Sequence, residues 1–419
     1  MQNLKTAEKV LKEIYLPYLD NLLGIAPSPL LSKIKKVKLT GDHIVAGAPI
    51  GLSGGFGYSA EGEPTPKSGN VISEKFKLFA KDMYVNICIS QKAVTLGTTA
   101  GAMVNLLDQE IRGAQDAAKW NVGRSLFGNG TGVLCKIRAA TTYSSEITTI
   151  KVDDVSNLKE GLIVDLYAKD GTAPDANGKG LRIKSITRTS ESLTPTGGSA
   201  EKVYTVTLTG GSANTSIAAV TVTSGVESGG GFVTVQNSYK KEITGLGAIF
   251  DDSITSIYGV SKSDNQYLKP IVLDANNDIS DGIITKSLRQ STRDKNGNVN
   301  MIFCGDSAYD AYVAYLRTNN IRVESMIGQI EGGFKSIKFI FGNREVDIVN
   351  ESFVPNTEMW GVDTSEIELQ QTGWAFAQLQ GGGIFNLMER SALYRALLTN
   401  YAELICKNPG ACIRITNVG

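Results

Sequence analysis

A helical pattern runs without interruption from about Thr98 to Phe127, and it sets the scale of whatever this chain folds into. Val104, Leu107, Ile111, Ala114, Ala118 and Val122 recur at helical spacing and form one apolar stripe. Asp108, Arg112 and Asp116 step by four on another face, where opposite charges can pair. Thr98 or Thr99 can cap the start, and Gly128 supplies a stop. At 1.5 Å per residue the helix would be roughly 45 Å long, enough to span a domain. A chain of 419 residues has room for more than one domain, so this helix is expected to be the backbone of one of them.

The residues before the helix cannot build a core of their own. Thr6 can cap a short helix carrying Val10, Leu11, Ile14 and Tyr15, which Pro17 disturbs and Pro27 and Pro29 end. Lys33, Lys35, Lys36 and Lys38 then alternate with Ile34, Val37 and Leu39. That run reads first as an edge strand with solvated lysines, and second as a contact with an acidic neighbour or with DNA. Between 45 and 70, Gly47, Gly51, Gly54, Gly55, Gly57, Gly62 and Gly69 fall among Pro49, Pro64 and Pro66. A phosphate cradle would need a buried strand before it and a helix after it, and neither is present. A long exposed loop or hairpin that finds its partner on another subunit fits better. Phe76, Leu78, Met83, Val85, Ile87 and Ile89, mostly two apart, predict one long half-buried strand over 71–95.

After the helix the texture changes. Ile147–Val152, Leu162–Tyr167, Leu181–Ile186, Val203–Leu208 and Ala218–Val222 are short β-rich pieces between clusters of Gly, Ser, Thr and Asn. Glycines flank the whole segment, which reads as a small β-barrel or sandwich inserted in a parent domain. Beyond about 240 the pattern is mixed: Ser280 or Asp281 starts a helix, Val299–Cys304 is a buried strand, and Asp306 caps a second helix. Ile337–Phe341 and Arg344–Val349 flank Gly342-Asn343 as a hairpin. Arg390–Leu398 fits helix or strand and leads into Tyr401–Cys406, and Ala411–Val418 closes the chain as a strand.

Chemistry is scarce. His43 is the single histidine, which nearly removes histidine catalysis and histidine metal sites. Cys88, Cys135, Cys304, Cys406 and Cys412 are scattered without a CxxC, and read as reduced, mostly buried thiols more readily than as disulfides or ligands. Asp251-Asp252 and Asp306 with Asp310 are simpler as turns or helix starts than as acid–base pairs. Asp170, Asp175, Asn177 and Gly178 form an acidic turn, with a weak calcium site as the rival reading. Forty-two basic residues balance forty-two acidic ones, so there is no global drive toward nucleic acid or a membrane surface. Tyr167 and Tyr204 are the only aromatics between 145 and 230, which argues against sugar stacking by the β-rich segment. No signal peptide opens the chain and no apolar run reaches the roughly 18 residues of a membrane span, so folding in the cytosol is expected. No catalytic, cofactor or metal residue is singled out.

The order of parts resembles the major capsid proteins of tailed bacteriophages with the Hong Kong 97 fold. The residues that carry the resemblance are the loop at about 45–75, the strand Lys75–Ser90, and the helix from Gly101-Ala-Met-Val-Asn-Leu-Leu to Arg124-Ser-Leu-Phe-Gly-Asn-Gly. Met301-Ile-Phe-Cys-Gly-Asp-Ser-Ala-Tyr, Phe341-Gly-Asn-Arg-Glu-Val and Tyr394-Arg-Ala-Leu-Leu-Thr-Asn-Tyr-Ala-Glu-Leu look like the axial domain. The resemblance implies an α+β fold laid out as N-terminal arm (1–44), extended loop (45–75) and peripheral domain with spine helix (76–139). An inserted β-domain (140–231), a return to the peripheral domain (232–260) and an axial domain with the C-terminal strand (261–419) follow. It implies a non-enzymatic subunit that assembles as hexamers and pentamers into an icosahedral virion shell around double-stranded DNA, formed in the host cytoplasm. An encapsulin-like compartment shell is the alternative, and a binding protein built on the β-domain a more distant one.

Many copies of the chain itself are the first partners so implied. A portal and a separate scaffolding protein are expected beside them, and a decoration protein is compatible. Proximity to packaged DNA would be non-specific, and no membrane is involved. The expected inter-subunit contacts are Gly54, Gly55, Phe56, Glu63, Lys67 and Lys75 on the loop, with Asp108, Arg112 and Asp116 on the helix. Lys67 and Lys75 match no crosslinking motif.

Overall fold

The computed structural model describes residues 28–41, 43–49, 55–62, 64–67, 73–90, 100–210, 217–223, 226–319, 327–329, 335–377, 386–388 and 391–419. The helix expected after Thr6 lies outside them. The chain forms two compact units: a body made of 1–129 and 243–419, and a second unit, Gly130–Glu242, that leaves the body and returns to it.

The uninterrupted helix is present as α1, Ala100–Phe127. Its C-terminal end meets the core, where Leu126 is fully buried and Phe127 packs its ring against Phe303 at 5.2 Å. The strand expected over 71–95 is instead two, Ser73–Phe79 and Lys81–Ser90, broken at Ala80. The inward positions explain the break. Phe76 and Leu78 face in on even numbers and Ile87 on an odd one, and a strand with period two cannot change parity without a kink.

Ser73–Phe79 pairs antiparallel with His43–Pro49, from His43 opposite Phe79 to Pro49 opposite Ser73. Lys81–Ser90 joins a different, six-stranded sheet, where it runs antiparallel to the 14-residue strand Leu393–Cys406. Lys35–Lys38, the basic run, is an edge of that sheet and pairs parallel to Ile367–Gln371.

The largest sheet of the body has seven strands in the order Ile271–Asp274, Ile413–Thr416, Met359–Val362, Met301–Cys304, Arg344–Asn350, Lys335–Phe341, Ile327–Gln329. Two helices accompany it, α2 (Asp281–Lys295) behind the N-cap Ser280, and α3 (Asp306–Thr318). Gly305 is the N-cap of α3, so Asp306 is its first helical residue, where a carboxylate favours the helix dipole. Met301–Cys304 shows why the central run is continuously apolar. Met301 and Phe303 belong to the core shared with Phe127 and Trp360, while Ile302 and Cys304 belong to the core shared with α2 and α3. A strand buried on both faces has no polar alternation to display. The Gly342-Asn343 turn closes a hairpin with Phe341 opposite Arg344, and Val346 and Ile348 are fully buried.

The second unit is a closed ring. Going round, Glu201–Thr209 pairs Leu181–Ile186, which pairs Ile163–Ala168, then Gly231–Val235, Val133–Ile137 and Ile147–Val152, which pairs Glu201–Thr209 again. Every pairing is antiparallel, so this is a six-stranded barrel with no free edge in the ring. Val164, Leu166, Val206, Leu208 and Ile150 fill it. The unit is wider than the change of composition at 140 and 231. The strands Val133–Ile137 and Gly231–Val235 lie among glycines yet complete the ring.

Candidate functional site

The hairpin of His43–Pro49 and Ser73–Phe79 has one face in the body and one face open. Phe76 is fully buried with its ring 5.2 Å from that of Tyr258, and Lys77 N–H donates to the Tyr258 carbonyl. Ile44 and Leu78 sit on the same inward side. The outward side carries His43, Val45, Lys75, Lys77 and Phe79, all exposed, with the Lys77 ammonium 5.4 Å from the centre of the Phe79 ring. A basic and aromatic face on a two-stranded ribbon is suited to an acidic or apolar partner.

Beyond the ribbon, residues 55–62 and 64–67 are all exposed. Phe56 and Tyr58 are 80% and 94% exposed and stack edge to face at 5.2 Å. Two large rings this open are an unusual expense of apolar surface in water, and such surface marks a binding site when it is contiguous. A Cβ on Gly57 would lie 3.0 Å from Pro66 Cγ, so the outgoing and returning chains touch beside the rings.

The loop and helix residues expected to make contacts are placed as follows. Gly55, Phe56, Lys67 and Lys75 are exposed, while Gly54 and Glu63 lie outside the described residues. On α1, Arg112 and Asp116 are exposed; Asp108 is helical and its side chain lies outside the described residues. Tyr58 was not anticipated. Its signal was an aromatic two residues from another in a glycine-rich stretch.

Elsewhere the charged groups are structural. Glu358 holds Arg414 through two hydrogen bonds of 2.9 and 2.6 Å and accepts from Trp360 Nε1. Lys262 is buried, and its ammonium donates to the carbonyls of Ala248, Ile249 and Asp251, with burial pulling its pKa below the ordinary lysine value. In the barrel Arg138 donates to both Glu201 and Glu227, which pushes its pKa up. Apart from Trp360 and Glu358, two residues apart, these partners lie between 11 and 89 residues apart, so no local motif announces them.

Glu403 and Glu351 are buried in the body and form no ion pair among the described residues. Glu403 accepts from Thr244 N–H at 2.7 Å, and burial raises its pKa to about 7. Burial raises Glu351 to about 8, helped by the charge of Asp306. Burial favours the protonated form of both, and Glu403 lies against Thr244 and Tyr258 in the packed body. Asp251 accepts from Ser253 and Asn129, and the Asp175 carboxylate closes its own turn onto Asn177 N–H. Among the described residues no group of three or more His, Cys, Asp and Glu is placed to hold a metal, and no helix is long and apolar enough to cross a membrane.

No family model and no curated protein matches this sequence. Solved structures do match. The chain superposes on a chain of the Cyanophage A-1(L) capsid asymmetric unit with a TM-score of 0.51, covering 96% of this chain and 93% of that one at 12% identity. The chain has the Hong Kong 97 fold. Chains of the native GTA particle capsid (TM-score 0.45, 8% identity, 94% and 91% covered) and of the satellite phage P4 procapsid (0.42, 10%, 96% and 90%) also match. At 12% identity the Hong Kong 97 fold is kept with few shared residues, so a backbone path carries over and side-chain contacts do not.

Proposed function

We propose that this chain is a structural, non-enzymatic subunit of an icosahedral phage head, assembling as hexamers and pentamers around double-stranded DNA. The observation that carries the reading is the coverage of the match to the A-1(L) capsid chain, 96% of this chain and 93% of the other, which leaves no large part of either for a different task. In this reading α1 is the spine helix of the peripheral domain, the seven-stranded sheet with α2 and α3 is the axial domain, and Gly130–Glu242 is a domain inserted into that frame.

The hairpin is the extended loop and lies across an adjacent copy. Gly54, Gly55, Phe56, Glu63, Lys67 and Lys75 make its contacts, and Asp108, Arg112 and Asp116 on the neighbour's α1 receive them. The exposed Phe56 and Tyr58 rings and the basic outer face of the ribbon support that role, because each gains by being covered. A separate scaffolding protein and a portal take part in assembly, a decoration protein can join the finished shell, and the inner surface meets DNA without reading its sequence.

Negative-stain electron microscopy of the purified full-length chain, alone and co-expressed with a candidate scaffold, tests the reading. Closed shells, tubes or ring-shaped capsomers are expected. A monomer that resists concentration in both preparations overturns it, and shells that hold protein cargo instead of DNA convert it to a compartment protein.

A further inference from the structure

The turn at residues 407–412 joins the two sheets of the body. Cys406 is the last residue of the 14-residue strand in the six-stranded sheet, and Cys412 directly precedes Ile413–Thr416 in the seven-stranded one. Their Sγ atoms are 3.9 Å apart, and both side chains are buried, at 1% and 2% exposure. The backbone at each end is already fixed. Cys406 N–H donates to the Tyr258 hydroxyl at 3.1 Å, and the Cys412 carbonyl accepts from Ile271 N–H at 2.9 Å. Between them Ser291 Oγ donates to the Ala411 carbonyl at 2.6 Å. Gly410 presses so close to the Tyr267 carbonyl that a Cβ would lie 1.7 Å from its oxygen. A sulfur–sulfur bond of about 2.05 Å requires the two sulfurs to close this 3.9 Å gap.

We propose that Cys406 and Cys412 are a disulfide-forming pair, a modification site that covalently staples the turn between the two sheets. The oxidant is a small disulfide such as oxidised glutathione. One cysteine thiolate attacks it, releasing one reduced glutathione and leaving a mixed disulfide. The second thiolate then attacks the cysteine sulfur of that mixed disulfide, expelling the second glutathione. Two electrons pass to the oxidant, and the two thiol protons end on the two glutathiones. The hydrogen bond with the Cys406 sulfur, and then burial, push the Cys412 thiol well above its ordinary pKa, so little thiolate is present once the body has closed over it. Reaction is consequently slow in the folded chain and faster while the turn is still open. A reducing cytosol keeps the pair as thiols, and an oxidising medium closes it.

The test uses the full-length chain in two arms, both begun after native alkylation of exposed Cys88. One arm holds the folded chain in oxidised glutathione; the other unfolds the chain and refolds it in a glutathione redox buffer. After quenching, trypsin cuts behind Arg395, Lys407 and Arg414, placing Cys406 in peptide 396–407 and Cys412 in peptide 408–414. The expected product is those two peptides linked and lighter by two hydrogens than their sum, in the refolding arm first. The linked chain should melt about 3–6 °C above its reduced form, and Cys406→Ala should abolish the difference. Both peptides fully alkylated in both arms, or either cysteine linked mainly to Cys135 or Cys304, overturns the pairing. A linked chain that melts no higher than the reduced one overturns the staple.

Discussion

The barrel and the hairpin face the same physical problem, strands outside the two large sheets of the body, and they solve it oppositely. In the barrel each of six strands is paired on both sides, and the apolar residues turn inward on a core of their own. The hairpin has two strands, one buried face borrowed from the body, and an open face that ends in Phe56 and Tyr58. Two strands alone are marginal in water, whereas a closed ring has neither an edge nor an unfilled face. The barrel buries its apolar residues on itself, whereas the open face of the hairpin is the one that the proposed reading covers with another copy.

That comparison breaks most visibly by deletion. Removing residues 50–68 should leave a folded subunit, judged by an unchanged far-ultraviolet circular dichroism spectrum, that forms no shells by electron microscopy. Normal shells from the shortened chain would show that the loop is dispensable. Next in size is the separateness of the two cores. Leu166→Ala should destabilise the barrel by about 2–5 kcal/mol and Phe303→Ala the body by a similar amount. In calorimetry each should lower a different transition; a common shift by both would mean one cooperative core.

pH sharpens the contrast further. Glu403 and Glu351 have folded pKa values of about 7 and about 8, above the 4.5 of an ordinary glutamate. The folded body therefore binds more protons than the unfolded chain between those limits. Its added stability is full below about pH 4.5 and is lost as pH rises through 7 and 8, an effect of a few kcal/mol. Denaturant midpoints of the body should fall from pH 5 to pH 8.5, and Glu403→Gln should flatten part of that slope. An unchanged slope would mean that Glu403 is charged throughout. The smallest effect belongs to Arg138→Ala, which leaves Glu201 and Glu227 facing each other at the barrel. Because both carboxylates are partly open to solvent, the loss is about 1–3 kcal/mol and should be confined to the barrel transition.

Much of this architecture was legible where local pattern and tertiary role agree. The long helix, the Gly342-Asn343 hairpin and the strands Ile147–Val152 and Leu181–Ile186 fall where their spacing puts them. Arg390–Leu398 was ambiguous because Leu and Ala are good helix formers, and pairing with Lys81–Ser90 and other strands makes Leu393–Cys406 one strand. Val133–Ile137 and Gly231–Val235 were hidden by the glycines around them, although they close the ring. Of the candidate contacts, the loop's exposure was readable from its composition. The buried glutamates were not, since Glu403 meets Thr244 across 159 residues of sequence.

Gly245 marks where the chain re-enters the body. A Cβ there would fall 2.4–2.6 Å from the carbonyl oxygens of Ser125, Leu126 and Gly128, and Leu246 N–H donates to the Leu126 carbonyl. The exit from the body and the way back in are thus bonded to each other at the foot of α1, whatever is carried between them. A seam of that kind is a socket. A linker of a few residues and a whole domain can both span it, because the entropic cost of closing a loop rises only slowly with its length. The same seam would let an engineer exchange the barrel for a peptide tag or an unrelated domain whose ends meet, and leave the body's register untouched.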